Sequence, residues 1–413
     1  MTNPDIVIVG AGAAGIGAAL ELQERGVSHL ILEAAGRVGG RAYTDATSLP
    51  VPWDHGCHWL HCADVNPLVA WADKLGVDYL REEWVDHFQV WTDGAWEAKT
   101  EVDAARATLL DAYEVIEAAG EGGDERPMSA LMPDLGRWNR AVPYIMALLH
   151  SEDPGRISCV GVSDYDETDL NWPVIEGYGE LIRRMSEGLS IHLGVRVAGV
   201  AETPSRTKIS TDQGDLEAKG AIITASTNVI NSGAISIGPG PARDLLDFIA
   251  DVPCGAYEKV AISLSRPLVT DQAKRFAMVD PGPPQSPLDF QIVQKPAPMM
   301  IAHMGGDLAR EWVKAGAEAR KAFALERLEM AFGREARDAV TGVATTNWLE
   351  NPNVLGAYSY AVPGAGQRRH EMIAADTGRI AFAGEAFSKP WQATAHGAYQ
   401  SGRDVAARIC AHI

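Results

Sequence analysis

The apolar positions along this chain change period several times, and each change marks an element. Ile6-Val7-Ile8-Val9 is apolar at every successive position, as a central parallel strand covered on both faces would be. Helical spacing follows to Gly26, and a second short strand ends at Glu33. Helices are predicted over Leu68–Gly76, Glu101–Ala119, Trp138–Leu149 and Gly179–Gly188, the second closing in the loose run Gly120-Glu121-Gly122-Gly123. Short strands are predicted at Arg196–Ala201, Thr207–Thr211 and Ala221–Ala225, with a turn at Asp212-Gln213-Gly214. Glu258–Ser265 alternates, with Val260, Ile262 and Leu264 on one face and Ala261, Ser263 and Ser265 on the other. The proline-rich residues 280–298 read as an irregular hairpin region, and Ala315–Phe332 as one amphipathic helix. A strand at Arg379–Ala383, a turn at Gly384-Glu385 and a helix over Ala395–Ile413 complete the pattern.

Alternating strands and helices at both ends of the chain, with a β-rich and a helical region between them, imply that a second domain is inserted into the first. The expected fold class is α/β with two interleaved domains. A Rossmann-like nucleotide-binding unit is expected over 1–78, 190–250 and 365–413. An α+β substrate-binding unit, with a mixed sheet and a helical cap, is expected over 79–189 and 251–364. A length of 413 residues agrees with two domains.

The first strand runs into Gly10-Ala11-Gly12-Ala13-Ala14-Gly15. Gly10 permits a tight turn, Gly12 lets the backbone approach a pyrophosphate, and Gly15 lets the helix pack closely on the strand. The helix N-terminus offers unpaired N–H groups and a positive dipole end to the phosphates. Glu33, 23 residues after Gly10, stands where a carboxylate accepts hydrogen bonds from ribose hydroxyls and disfavours the extra phosphate of NADP. A dinucleotide pocket is therefore expected.

Net charge is −19, which argues against a nucleic-acid partner, because phosphate binding calls for a basic face. It is compatible with a cationic small substrate, although solubility accounts for it equally. No apolar run approaches the roughly 18 residues that span a bilayer. The first strand also begins too early for a signal peptide, so a cytoplasmic protein with no membrane partner is expected. Five cysteines, an odd count, then suggest reduced thiols. Cys57-His58-Trp59-Leu60-His61-Cys62 offers four metal-ligand types, but six contiguous residues can hardly wrap one ion, and no metal is expected.

Five blocks in order resemble the flavin-containing amine oxidases, the family of the monoamine oxidases, polyamine oxidases and lysine-specific histone demethylase. They are the glycine turn; Gly36-Arg37-Val38-Gly39-Gly40-Arg41; Trp53 to His61 with Asn66-Pro67-Leu68 and Leu75-Gly76; Glu258-Lys259-Val260; and Phe382-Ala383-Gly384-Glu385 with Ala393 to Gly402. Trp348 and Gly356-Ala357-Tyr358-Ser359-Tyr360 are similar to a further segment of the family. The third block is most similar to the polyamine oxidases.

The resemblance implies FAD contacts from Gly10, Gly12, Ala14, Gly15, Glu33, Ala34, Arg37, Gly40, Arg41, Trp348, Gly384, Glu385, Thr394 and Ala395. Arg41 would lie on the pyrophosphate as a bidentate donor. Glu385 would hold the ribityl or phosphate chain, and Ala393–Gly397 would form the helix start beneath the flavin ring. Lys259, His61 and Tyr358 are the implied catalytic residues, Lys259 holding a water near flavin N5. On strand pattern alone Lys259 reads as readily as an edge-strand lysine. Trp59, Trp391, Thr394 and Tyr358 are the implied substrate pocket. Thr394 stands where monoamine oxidases have a second tyrosine, and Trp391 or Tyr399 could take that place. No cysteine lies between Glu385 and Thr394, so the FAD is expected to be non-covalent. No arginine follows Gly56 as in L-amino acid oxidases, which makes an amino acid a less favoured substrate.

The activity implied is oxidation of a small-molecule amine, polyamine-like in preference. Hydride passes from its α-carbon to flavin, the imine hydrolyses to aldehyde and amine, and O₂ is reduced to H₂O₂. An oxidase of amino acids or of secondary or cyclic amines, a carotenoid or porphyrinogen desaturase, and a non-catalytic flavoprotein remain as alternatives. The assembly state is open, a homodimer being one option.

Overall fold

The computed structural model describes residues 4–81 and 87–413. Residues 82–86, inside the segment 79–189 expected to belong to the substrate unit, lie outside the described residues.

Five strands form a parallel sheet in the order Ile380–Phe382, Gly220–Ile223, Ile6–Val9, His29–Glu33, Ile191–Leu193. Ile6, Val7 and Ile8 at its centre are wholly buried, which is what their unbroken apolar run required. The helix Ala13–Glu24 packs along the C-terminal helix Ala395–Ile409, and glycines make the close approach possible: a Cβ on Gly402 would overlap the Ala14 carbonyl. Residues from both chain ends thus build one sheet and its cover.

A seven-stranded mixed sheet forms the second layer system, in the order Val340–Thr345, Tyr257–Leu264, Met299–Gly305, Leu288–Val293, Phe276–Asp280, Phe88–Thr92, Ala95–Trp96. One face packs Val260, Ile262 and Phe290 against Phe323 and Leu328 of the helix Ala317–Phe332. The other face carries Val90 and Met278, which pack with the cap helices Lys99–Glu121 and Ala141–His150. A smaller four-stranded sheet includes the hairpin Thr207–Thr211 and Gly214–Ala218, turned as the Asp212-Gln213-Gly214 signal indicated.

Three expectations need correction. The region 280–298 is not irregular throughout, because Leu288–Val293 is a regular strand held between two neighbours, its prolines falling in the flanking loops. The helix expected over Ala315–Phe332 is the second of two: Gly316 at φ +95° separates Gly306–Ala315 from Ala317–Phe332. The helix expected from Trp138 begins at Ala141, after a 3₁₀ turn at Gly136–Trp138. Among the described residues, no helix is long and apolar enough to cross a membrane.

Candidate active site

A cavity of ≈ 640 Å³ runs from the glycine turn to the mixed sheet and is lined by Gly10, Gly12, Glu33, Arg41, Lys259 and Tyr358, among others. At the turn, Gly10 adopts φ +107°, and a Cβ on Gly15 would overlap the Gly10 carbonyl oxygen. Gly15 is not at the cavity surface; it acts by letting the helix N-terminus close on the turn. Glu33, 8% exposed, accepts the backbone N–H groups of Ala11 and Ala35 at 2.7 Å each. Gly12 bridges to Gly39, and both line the cavity with Ala14, Ala34, Arg37 and Gly40. Arg37 lays its guanidinium 3.9 Å from the Tyr43 ring centroid.

Further in, Arg41 Nη1 donates to Glu385 Oε1 at 2.8 Å and to the Ala357 carbonyl. Its Nη2 and Nε make no hydrogen bond among the described residues, so donors remain for an anionic ligand. Glu385 is also held by Ser359 Oγ at 2.6 Å and the Ala393 N–H at 3.0 Å. Burial opposes its charge, but Arg41 and Ser359 hold its carboxyl below the usual range. Gly384 and Ala395 line the cavity beside it, as does Trp348, whose Nε1 donates to the His55 carbonyl at 3.0 Å.

Lys259 lies on the interior strand Tyr257–Leu264, paired on both sides, so the edge-strand account of this lysine does not apply. It is 4% exposed, and its Nζ donates to the carbonyls of Gly56 at 2.6 Å and Asp54 at 3.2 Å. Burial pushes its ammonium down to about 8, against the pull of Asp54 and Cys57.

Tyr358 lines the cavity with its hydroxyl donated to the Leu148 carbonyl. Its ring centroid lies 5.8 Å from that of Tyr257, which also lines the cavity and bonds His303 Nδ1 at 2.7 Å. Trp59 and His61 reach the same cavity. Trp391 does not: its ring packs on His396, and its carbonyl accepts Thr394 Oγ1 at 2.7 Å. Tyr399 is likewise buried between helices, where its hydroxyl accepts from Trp71. Thr394 is the N-cap of the last helix, accepting the Gly397 N–H at 3.0 Å, while its side of the helix start faces the cavity. The Cys57–Cys62 run diverges, with His58 turned to Asp54, His61 to Asn171 and Cys62 to the Asp166 carbonyl.

Tyr257, Glu117, Glu167 and Asn171 were not singled out from the sequence. Strand alternation puts Tyr257 on the face of Lys259, a signal that was present. Glu117 and Glu167 are exposed residues that line the cavity, and so mark its mouth; nothing local in their segments points to that role.

The family model for flavin containing amine oxidoreductases matches residues 13–142 and 141–410. "Polyamine oxidase 2" of Arabidopsis thaliana is 25% identical over 97% of this chain and 86% of its own length. "Lysine-specific histone demethylase 2" of Homo sapiens is 23% identical over 99% of this chain, which spans 54% of that protein. The fold is similar to that of cyclohexylamine oxidase from Brevibacterium oxydans IH-35A, with a TM-score of 0.85, 20% identity and 99% of each chain covered. It is also similar to that of wild-type putrescine oxidase bound to putrescine, with a TM-score of 0.82, 19% identity and 99% of each chain covered. With the model matched from the start of the first helix, through the lysine strand, to residue 410, the chain belongs to the flavin-containing amine oxidoreductase family.

Proposed function

We propose that this chain oxidises amines with a second nitrogen, polyamines or diamines, using FAD held without a covalent bond. The observation that carries the reading is one cavity joining the Gly10–Gly12 turn to a buried Lys259 and a two-tyrosine wall. The residues fit the dinucleotide. A Cβ on Gly12 would project into the groove beside Gly39 and Gly40, Glu33 stands at the end of the second strand, and Arg41 keeps donors available. No cysteine lies between Glu385 and Thr394 to attach the flavin. We assign the FAD unit to 1–78, 190–250 and 365–413 and the substrate unit to 79–189 and 251–364.

When bound, the flavin supplies a two-electron acceptor for the hydride of the amine α-carbon and passes the electrons to O₂, giving H₂O₂. The chain itself orients the amine, excludes water and manages protons. Tyr257 and Tyr358 form the wall that confines the substrate, and Trp59 extends it. Lys259, held by two carbonyls, is placed to carry or orient a water that later attacks the imine. Glu117 and Glu167 at the mouth attract a cationic chain. The names of the polyamine and putrescine oxidases among its relatives support the same substrate class. Peroxide release should be measured over a panel of spermine, spermidine, putrescine, monoamines and amino acids. Turnover confined to monoamines or amino acids would overturn the substrate class.

A further inference from the structure

Asp54 holds two cavity-lining side chains at once. Its backbone carbonyl accepts Lys259 Nζ at 3.2 Å, and its carboxylate Oδ2 lies 2.8 Å from His58 Nδ1. Lys259 and His58 line the same cavity. Asp54 is itself fixed: it is 3% exposed and pairs with Thr44 across a short two-stranded ladder. Its Oδ1 accepts the Thr44 hydroxyl at 2.6 Å and the Tyr178 N–H at 3.0 Å. The Thr44 oxygen accepts the Gly179 N–H at 2.9 Å, which turns the hydroxyl proton toward Asp54. Two donors thus occupy Oδ1, and Oδ2 serves His58.

A carboxylate only accepts, so His58 donates from Nδ1 and keeps its lone pair on Nε2. Nε2 makes no hydrogen bond among the described residues. The ring stands edge-to-face with Trp59, centroids 4.7 Å apart, which fixes its plane. A ring held in this way takes a proton at Nε2 with a carboxylate set against the charge that forms. Lys259 has only carbonyl acceptors among the described residues. The two side chains are therefore suited to different tasks, Lys259 to holding a water and His58 to taking its proton.

We infer that Asp54 and His58 form a dyad that hydrolyses the imine inside the cavity, with His58 the base for the water held at Lys259. The inference rests on the amine oxidase reading above and deepens it. His58 Nε2 accepts one proton of the water, the hydroxide adds to the carbon of the protonated imine, and the C=N π pair moves to nitrogen. The imidazolium returns its proton to that nitrogen. The C–N bond then breaks as the oxygen forms C=O, and the hydroxyl proton leaves with the amine. One protonated imine and one water become one aldehyde and one ammonium, and His58 ends neutral. Asp54 is the positioning residue.

A rapid-quench experiment on the flavin-loaded protein tests it. Enzyme in excess over the best amine of the panel, without oxygen, is followed through the visible flavin band and stopped at intervals with borodeuteride. Borodeuteride converts any imine to the parent amine carrying deuterium, and any aldehyde to a deuterated alcohol. The unsubstituted protein should yield the alcohol in step with flavin bleaching. In His58→Gln bleaching should be little changed, while the alcohol lags on the order of a hundredfold and deuterated amine accumulates. Asp54→Asn should give the same lag. Deuterated amine accumulating in the unsubstituted protein overturns the inference, whether or not the variants fold. Alcohol that stays in step with bleaching in His58→Gln also overturns it, because a purely structural residue would give that result. Flavin that no amine bleaches would refute the amine reading and the inference with it, and is told apart because no deuterium then enters any product.

Discussion

Lys259 Nζ donates to the backbone carbonyl of Gly56 at 2.6 Å, although 203 positions separate the two residues in the chain. The bond ties the interior strand of the mixed sheet to the loop that follows the dinucleotide-binding turn. Its second partner is also a carbonyl, that of Asp54, so among the described residues the buried ammonium has neutral acceptors and no direct carboxylate contact. Such an ammonium releases its proton more readily than an exposed lysine would.

The pH profile follows from that relationship. With Lys259 pushed down to about 8, it is charged below that pH and neutral above it. A neutral lysine no longer repels a cationic amine and can accept a proton. kcat/KM should therefore rise through an inflection near 8, and in Lys259→Met that inflection should vanish, leaving the titration of the substrate alone. A profile that is flat between about pH 6 and 10 contradicts the assignment.

Gly15→Ala should give a protein that folds poorly around its cofactor or purifies colourless. The added Cβ overlaps the Gly10 carbonyl, so the helix N-terminus must move off the turn. The ratio of visible to ultraviolet absorbance reads the flavin content directly.

Glu385→Gln should destabilise the flavin-loaded protein by about 3 kcal/mol, because it strands Arg41 without its carboxylate partner. It also weakens the anchors from Ser359 and Ala393. Chemical unfolding followed by flavin release measures the loss, and an unchanged midpoint would show that the pair contributes little.

Glu117→Gln should raise KM for a diamine about tenfold, equivalent to about 1.4 kcal/mol, and leave KM for a monoamine of equal length unchanged. Equal effects on both would mean that Glu117 acts on the cap helix and not on the distal nitrogen.

Much of the dinucleotide end was legible in the sequence because its signals are local. Gly10, Gly12 and Gly15 are dictated by the turn they occupy, and Glu33 by its place at the end of the next strand. Thr394 also follows a local rule, as the N-cap of the helix whose start was expected beneath the flavin ring. The substrate end was legible in part. Lys259 and His61 stood out by resemblance alone, and Tyr257 could have been read from its alternation with Lys259. Trp391 was misplaced because the turn before the last helix points its ring at His396. Glu117 and Glu167 come from segments brought to the cavity by tertiary packing, which no local pattern announces. The helix Gly306–Ala315 that precedes Gly316 was not read from the sequence, which started its helix at Ala315.

The most direct test is an anaerobic titration of the purified protein with single amines, followed through the visible flavin band. Stoichiometric bleaching by spermidine, spermine or putrescine, with no response to amino acids, is the predicted result. A protein that carries flavin yet is bleached by none of these amines would contradict the account.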